Sequence, residues 1–492
     1  MFAFIVAIPL VAAVTCAGND TISTMVTRRS THANHAKPTS TTRRSAQRRT
    51  AAQGSAHSRS TSNGSGGIHI PTSNGELLLT RRHFLFGALG VGALAAIGGG
   101  ASVIIKKKQD EAASAVTVLE VPSTSMTTLK TPDGSGLFTL IEDTGIRMGT
   151  TGRFELPYGT LVWANDDTVA ACLLPTAEAK PLTQVGLLSL GSGNLSTVLE
   201  KAIGQDEGFD IYDVRASASG LVWTEADIFD GIWRVYTAST DGAMIGEAHL
   251  VDEGDALWEM PSIAAVGKFA FWQVMPKADG DMSAEDSLVK RTTMSSGSSE
   301  VVYTSHGRLC TPPYALADSV VITPRAETTG TYYQLTHLDA ASGEVLDTMV
   351  LPRAMKPLEA GYGDTGFSFS FDAIYNYGDG ISNLGTYTPT TRVTDGDYSG
   401  APWFCFNRAP SAPPAWCGKY FMVKSSRTVC GIDLNTNEYF ALQPDNGADD
   451  YGEYLASTGS GDSIVTYANI DDKPIGGDAK KYCLVRTWTP LA

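Results

Sequence analysis

The sequence predicts an all-β chain folded as a β-propeller, with seven four-stranded blades expected, preceded by a disordered tail and one apolar signal or anchor helix. Three observations carry that expectation. Apolar runs of one type begin near Val169, Leu221, Phe269, Val320, Phe367, Tyr420 and Ile464, at separations of 52, 48, 51, 47, 53 and 44 residues. A period near fifty is about the length of one four-stranded blade. Glycine supplies 50 of 492 residues while charged residues stop at 18%, a balance that suits strands and tight turns. From about Gly136 onward no long amphipathic helical pattern interrupts the short β-rich runs. Six or eight blades, and a pair of β-sandwiches, are the rival architectures, because the stretch from Gly366 to Gly400 is irregular.

In chain order, residues 1–79 form the first region. Residues 26–75 are rich in Ser, Thr, Arg, Gly, His and Asn without aliphatic periodicity, which predicts disorder. Residues 2–15 are apolar and end at Cys16, but they lack a basic start, and Thr15 stands where a lipobox needs a smaller residue. A translation start misassigned upstream of Met25 accounts for them. Residues 80–108 form the second region: Thr80-Arg81-Arg82-His83-Phe84-Leu85-Phe86 opens an uncharged apolar run over 84–105. Twenty-two residues at about 1.5 Å each reach about 33 Å, enough to cross a bilayer core of about 30 Å.

This segment resembles a twin-arginine (Tat) export signal, with Thr80 in place of Ser and Phe86 in place of Lys. Arg81, Arg82, Phe84 and Leu85 are the matching positions. The glycine-rich run and the following Lys106, Lys107 and Lys108 fit that reading. Ala113-Ser114-Ala115 has the small-x-small form of a cleavage site, with Ala113 and Ala115 as the small residues, so both an anchored and a released product follow. An ordinary membrane helix with flanking charges is the alternative. Residues 109–135 are a linker, and 136–492 the propeller.

Within the body, hairpins recur around turns such as Gly191-Ser-Gly193, Ala341-Ser-Gly343 and Asn435-Thr-Asn437, whose Gly and Asn tolerate positive φ. The last repeat ends one strand short, and Leu137 to Ile141 is the expected closing strand. The body resembles TolB-like β-propellers, which repeat an apolar strand, an Asp-containing loop, a second strand and an Asp-Gly turn. Leu221 to Gly242 carries the likeness best, and the loose pattern covers about Gly136 to Trp488. The arrangement as a whole, including Glu155-Leu-Pro-Tyr-Gly-Thr-Leu-Val-Trp-Ala-Asn165, is similar to actinobacterial proteins with a Tat signal. Neither resemblance brings catalytic residues.

Charge narrows the partners. The net charge of −15 conceals nine Arg and one Lys against two acidic residues in 1–83, and 24 basic against 50 acidic residues beyond Lys108. An acidic body repels phosphate backbones, so nucleic acid is excluded for the folded domain. No HExxH, Cys-x-x-Cys pair, nucleophile elbow, P-loop or dinucleotide fingerprint occurs in the body, so no cofactor, no metal and no catalytic residue is assigned. His249 and His337 fall in strands and read as structural.

Acidic loops are the weak ligand-binding candidates: Asp166, Asp167, Asp227, Asp230, Asp279, Asp281, Asp471 and Asp472. Cys405 and Cys417, flanked by aromatics and separated by a Pro-interrupted loop, are a candidate disulfide. The expected function is binding or scaffolding at the cell envelope. The body lies outside the cytoplasmic membrane, with the Tat translocase, the membrane (through 84–105) and an envelope protein or glycan as partners. A propeller hydrolase or lyase using carboxylates, and a purely structural envelope component, are the alternatives; catalysis is the less favoured reading. A funnel with convergent carboxylates would favour the enzyme.

Overall fold

The computed structural model describes residues 67–72, 75–80 and 116–491, the latter without 132, 134, 177–181, 242–243, 329, 372–384, 395 and 474–477. The chain divides into two compact units, Met1–Ala95 and Ala96–Ala492. In the first, Gly67–Thr72 pairs antiparallel with Gly75–Thr80.

In the second unit, six blades are each made of four consecutive antiparallel strands. Blade 1 comprises Leu161–Trp163, Val169–Pro175, Leu182–Ser189 and Leu195–Leu199. Blade 2 comprises Asp210–Ser217, Gly220–Asp227, Ile232–Ser239 and His249–Gly254. Blade 3 runs through Ile263–Val266, Phe269–Val274, Ser287–Thr293 and Glu300–Ser305. Blade 4 runs through Tyr314–Ala315, Ser319–Ile322, Gln334–Asp339 and Val345–Val350. Blade 5 takes Pro357–Gly363, Gly366–Phe371, Gly385–Pro389 and Trp403–Phe406. Blade 6 takes Ala415–Cys417, Tyr420–Lys424, Val429–Asp433 and Glu438–Leu442. A composite sheet closes the ring: Tyr454–Leu455, Ile464–Asp472 and Lys480–Pro490 are joined by Met148–Pro157 from the other end of the body.

Every recurrent apolar run is the second strand of its sheet. That strand is flanked by a neighbouring sheet on each face, so Gly220–Asp227, Gly366–Phe371 and Tyr420–Lys424 are buried throughout and are predominantly apolar. Outer strands such as Glu300–Ser305 are largely half-buried or exposed. An apolar cluster fills each seam, including those between the closing sheet and blades 1 and 6. Trp223, Trp233 and Trp272 are core residues. Gly193 and Gly343 take positive φ in their turns, as does Asn437 at 54°, with the Gly193 and Gly343 amides donating back to Ser189 and Asp339.

The expected seven four-stranded blades preceded by a helix are corrected to six blades of consecutive strands. Six blades are continuous, the remaining sheet is composite, and blades 5 and 6 carry extra strands. Among the described residues the only helical segments are three 3-10 turns, and none is long and apolar enough to cross a membrane; the expected helix over 84–105 lies outside the described residues. The expected closing strand is also corrected. Within Leu137 to Ile141, Thr139–Leu140 instead pairs parallel with Glu438–Tyr439 at the outer edge of blade 6. Met148–Pro157 closes the ring because it is long enough to match Lys480–Pro490. Its residues from Thr151 to Pro157 alternate, placing Phe154 and Leu156 inward and Arg153 and Glu155 outward.

Residues 116–147 follow the outer edges of blades 4 to 6. Val118 bridges Val350, Met126–Leu129 pairs parallel with Trp403–Phe406, and Thr139–Leu140 follows on blade 6. Strand edges that would attract another chain are thereby covered.

Candidate functional site

The propeller axis is the usual place to look for a site, and here the chain fills it. The connection after Leu455 crosses the centre: Ala164 N donates to Ala456 O at 2.9 Å, Trp416 N to Gly459 O at 2.8 Å, and Gly459 N to the Tyr314 hydroxyl at 2.6 Å. Tyr314 in turn donates to Pro414 O at 2.8 Å, and Asn165 Nδ2 reaches Ala265 O at 2.5 Å. These bonds join blades 1, 4 and 6 to the connection after Leu455, and blade 1 to blade 3. What remains beside them is a cavity of about 40 Å³, bordered by Trp163 and Arg215, with the guanidinium 4.4 Å from the indole centroid. It is too small for a substrate.

The acidic loop residues are dispersed. In a sheet of consecutive antiparallel strands, first and last turns lie at one end and the middle turn at the other. Asp166 and Asp167 therefore share one face. Asp227 and Asp230 of blade 2, Asp279 and Asp281 of blade 3, and Asp471 and Asp472 of the closing sheet lie on the opposite one. Several already have local partners. Asp166 accepts from Thr168 N at 2.7 Å and from Ala218 N at 2.9 Å, tying blade 1 to blade 2. Asp167 accepts from Ser463 Oγ at 3.0 Å. Buried Asp227 accepts from Phe229 N at 3.0 Å. Asp471 pairs with Lys473 at 2.9 Å and Lys481 at 3.1 Å, and those lysines hold its carboxyl below the usual range. Asp230, Asp279, Asp281 and Asp472 are exposed. Among the described residues no three His, Cys, Asp or Glu side chains gather as a metal site.

A larger concavity opens between blades 4 and 5, on the face that carries Asp166. Its volume is about 1130 Å³. His337 and Asp347 stand opposite each other on the last two strands of blade 4. Leu335, of the same parity as His337, packs into the apolar cluster shared with blade 5, so His337 is a polar residue at a core-facing position. It is 8% exposed, and neither ring nitrogen has a hydrogen-bond partner. The Tyr362 ring stacks on it, with centroids 4.1 Å apart. The Tyr362 hydroxyl donates to Asp347 Oδ2 at 3.2 Å, and the Tyr398 hydroxyl donates to the same oxygen.

Burial pushes His337 below the usual imidazole range, against the pull of the Asp347, Asp318 and Asp339 carboxylates, so it is neutral at pH 7. Burial and the Asp347 carboxylate push Tyr362 up to about 12, and Tyr398 higher still; both phenols stay protonated and act as donors. Gly366, at φ 117°, lets this corner form, since a Cβ there would stand 2.8 Å from the Tyr398 hydroxyl. The groove can receive a ligand through carboxylates, a neutral imidazole and an aromatic wall.

None of the sequence-derived ligand candidates lines this groove. The available signal for His337 was its parity with Leu335 in the strand Gln334–Asp339. Arg81, Arg82, Phe84, Leu85, Ala113 and Ala115 lie outside the described residues. Cys405 and Cys417 are buried, in blades 5 and 6 respectively, and are not joined as a disulfide in this structure.

No protein-family model matches the chain, and no curated protein matches it significantly. Solved structures do align. The Dos1 propeller aligns at 11% identity over 65% of this chain and 74% of that one, with a TM-score of 0.36. A prolyl endopeptidase aligns at 12% identity over 67% of this chain and 47% of that one, with a TM-score of 0.43; this chain thus spans about half of that protein. Oligogalacturonate lyase from Vibrio parahaemolyticus aligns at 8% identity over 69% of this chain and 97% of that one, with a TM-score of 0.39. The β-propeller architecture of this chain rests on its own sheet topology.

Proposed function

We propose that this chain is a binding propeller, exported by the twin-arginine route and held at, or released from, the outer face of the cytoplasmic membrane. It engages its ligand or partner in the groove between blades 4 and 5. The observation that carries the reading is the contrast between a sealed axis, with about 40 Å³ left open, and an inter-blade groove of about 1130 Å³ that contains a buried, unpartnered imidazole. Pockets that bind small molecules are typically about 300–1,000 Å³. The likeness to TolB-like propellers and the Arg81-Arg82 motif support the assignment. The carboxylate-enzyme alternative needs an acid and a base about 5–10 Å apart, whereas the acidic loops are spread over four sheets and two faces.

Thr394, exposed on the loop between the last two strands of blade 5, lines the groove, so Thr394→Trp should obstruct it without disturbing the core. Native mass spectrometry of protein taken from envelope fractions should show a bound species that Thr394→Trp lacks; identical spectra would overturn the groove assignment. Replacing Arg81 and Arg82 with Lys should retain the protein in the cytoplasm. Normal export of that variant would overturn the twin-arginine assignment and leave the groove untouched.

A further inference from the structure

Resting on the groove reading above, we propose that the ligand of the blade 4–5 groove is an organic cation, a molecule or segment that presents primary ammonium or guanidinium groups. Two independent observations point there. First, the wall carries four carboxylates, Asp318, Asp347, Asp364 and Asp397, against the single guanidinium of Arg392. The described lining therefore holds a net negative charge, and low-dielectric walls concentrate its field on a cationic ligand. Second, His337 borders the same cavity with both ring nitrogens unpartnered at 8% exposure. A buried polar group without a partner is costly to the fold, and a neutral imidazole nitrogen is an acceptor for an N–H donor.

The arrangement selects against a metal ion and against an anion. No three of the ligating groups among the described residues converge as a metal site, so the carboxylates suit charges spread along a ligand rather than a point charge. An anion would meet three more carboxylates than guanidinium groups. Asp347 is turned into the seam, where Tyr362 and Tyr398 donate to it, and it anchors the wall on which His337 sits. Asp318 and Asp364 are exposed at the turns of blades 4 and 5, free of the core and ready to meet solvent-borne charge. The stacked Tyr362 ring places an aromatic surface beside them, a further attraction for a cation.

The test is calorimetric titration of the full-length protein with spermidine, tri-lysine, tri-glutamate and galacturonate, repeated on Asp318→Asn, Asp364→Asn, His337→Leu and Thr394→Trp. Spermidine and tri-lysine are expected to bind, with affinity falling as salt rises. Asp318→Asn and Asp364→Asn should each weaken them about fivefold to tenfold, and Thr394→Trp should abolish binding. His337→Leu should also weaken binding by at least tenfold while the fold stays intact by thermal unfolding; a merely structural histidine would leave affinity unchanged. Tighter binding of spermidine than of tri-lysine identifies a free polyamine as the source, and the reverse order a basic peptide segment. If only tri-glutamate or galacturonate binds, and Thr394→Trp removes that binding, the cation inference falls and the groove reading stands. If no probe responds to Thr394→Trp, both fall. Cation binding indifferent to Asp318→Asn, Asp364→Asn and His337→Leu also overturns the inference.

Discussion

Two regions treat buried polar groups in opposite ways. In the closing sheet, Glu453 is fully buried and Arg486 nearly so, and they face each other at 2.6 Å. Arg486 also reaches Asp445 at 3.2 Å and the Gln443 carbonyl at 2.8 Å, and Arg153 of the closing strand pairs with Asp445 too. Each charge there has a counter-charge, and the network joins Met148–Pro157 to the strands it completes. In the groove between blades 4 and 5, a buried imidazole has no partner, although Asp347 stands directly across the strand pair. The first region spends polarity on holding the ring shut. The second holds polarity in reserve, which a folded protein tolerates chiefly where something else completes it.

The largest test of the comparison concerns closure. Removing residues 1–147 takes away the edge-covering strands but keeps Met148–Pro157, and the body should still unfold cooperatively in calorimetry. Removing residues 1–157 should abolish the cooperative transition and cause aggregation through the bared edge of Lys480–Pro490. Equal behaviour of the two truncations would deny the closing strand its role.

Breaking the closing network from inside comes next. Arg486→Met strands Glu453 in the core and should lower stability by about 3–5 kcal/mol in denaturant unfolding. The double variant with Glu453→Leu should recover much of that loss. If the single substitution is neutral, the network is ornamental and the contrast with the groove disappears.

His337→Leu should have the opposite sign in the same assay, raising stability by about 1–3 kcal/mol because an unsatisfied imidazole is removed. Its pH dependence is a second readout. Burial lowers the His337 pKa in the folded state, so on acidification through about 6.5 the unfolded chain takes up the proton first and stability falls. The Leu variant should lose that part of the acid slope.

A gentler effect is expected at Lys424. Burial pushes it down to about 8, although its ammonium donates to the Ser426 and Tyr451 carbonyls at 3.1 and 2.8 Å. Between pH 8 and about 10 the unfolded chain holds the proton that the folded chain has lost, so this residue's contribution to stability should rise with pH over that window. Lys424→Met should flatten the rise. The smallest effect is kinetic: burial pushes the Cys405 and Cys417 thiols up to about 12, so both should alkylate slowly in the native protein and fast in denaturant.

Much of the ring was legible because its second strands are buried on both faces. Such strands must be predominantly apolar, as in Phe269–Val274 and Tyr420–Lys424, and seven of them at a near-constant spacing expose the repeat. Turns around Gly193, Gly343 and Asn437 were equally plain, since few residues adopt their backbone geometry. Leu137 to Ile141 is mostly apolar, as a closing strand would be, but it is short; the alternation through Arg153, Phe154, Glu155 and Leu156 is the better sign of a half-buried strand. The acidic loops give no functional signal of their own in the sequence, since aspartates in turns commonly serve their own backbone, as Asp166 and Asp227 do.

The sequence by itself determined which residues form strands, where they turn and that they repeat, since these follow from burial periodicity and local backbone preference, both written residue by residue. Tertiary structure alone decided which end of the chain completes the last sheet, that the connection after Leu455 seals the axis, and that His337, Asp347, Tyr362 and Tyr398 meet at one seam. Those outcomes depend on the packing of neighbouring sheets whose residues lie up to several hundred positions apart. No local pattern encodes which buried polar side chain will find a partner there and which will be left facing a groove.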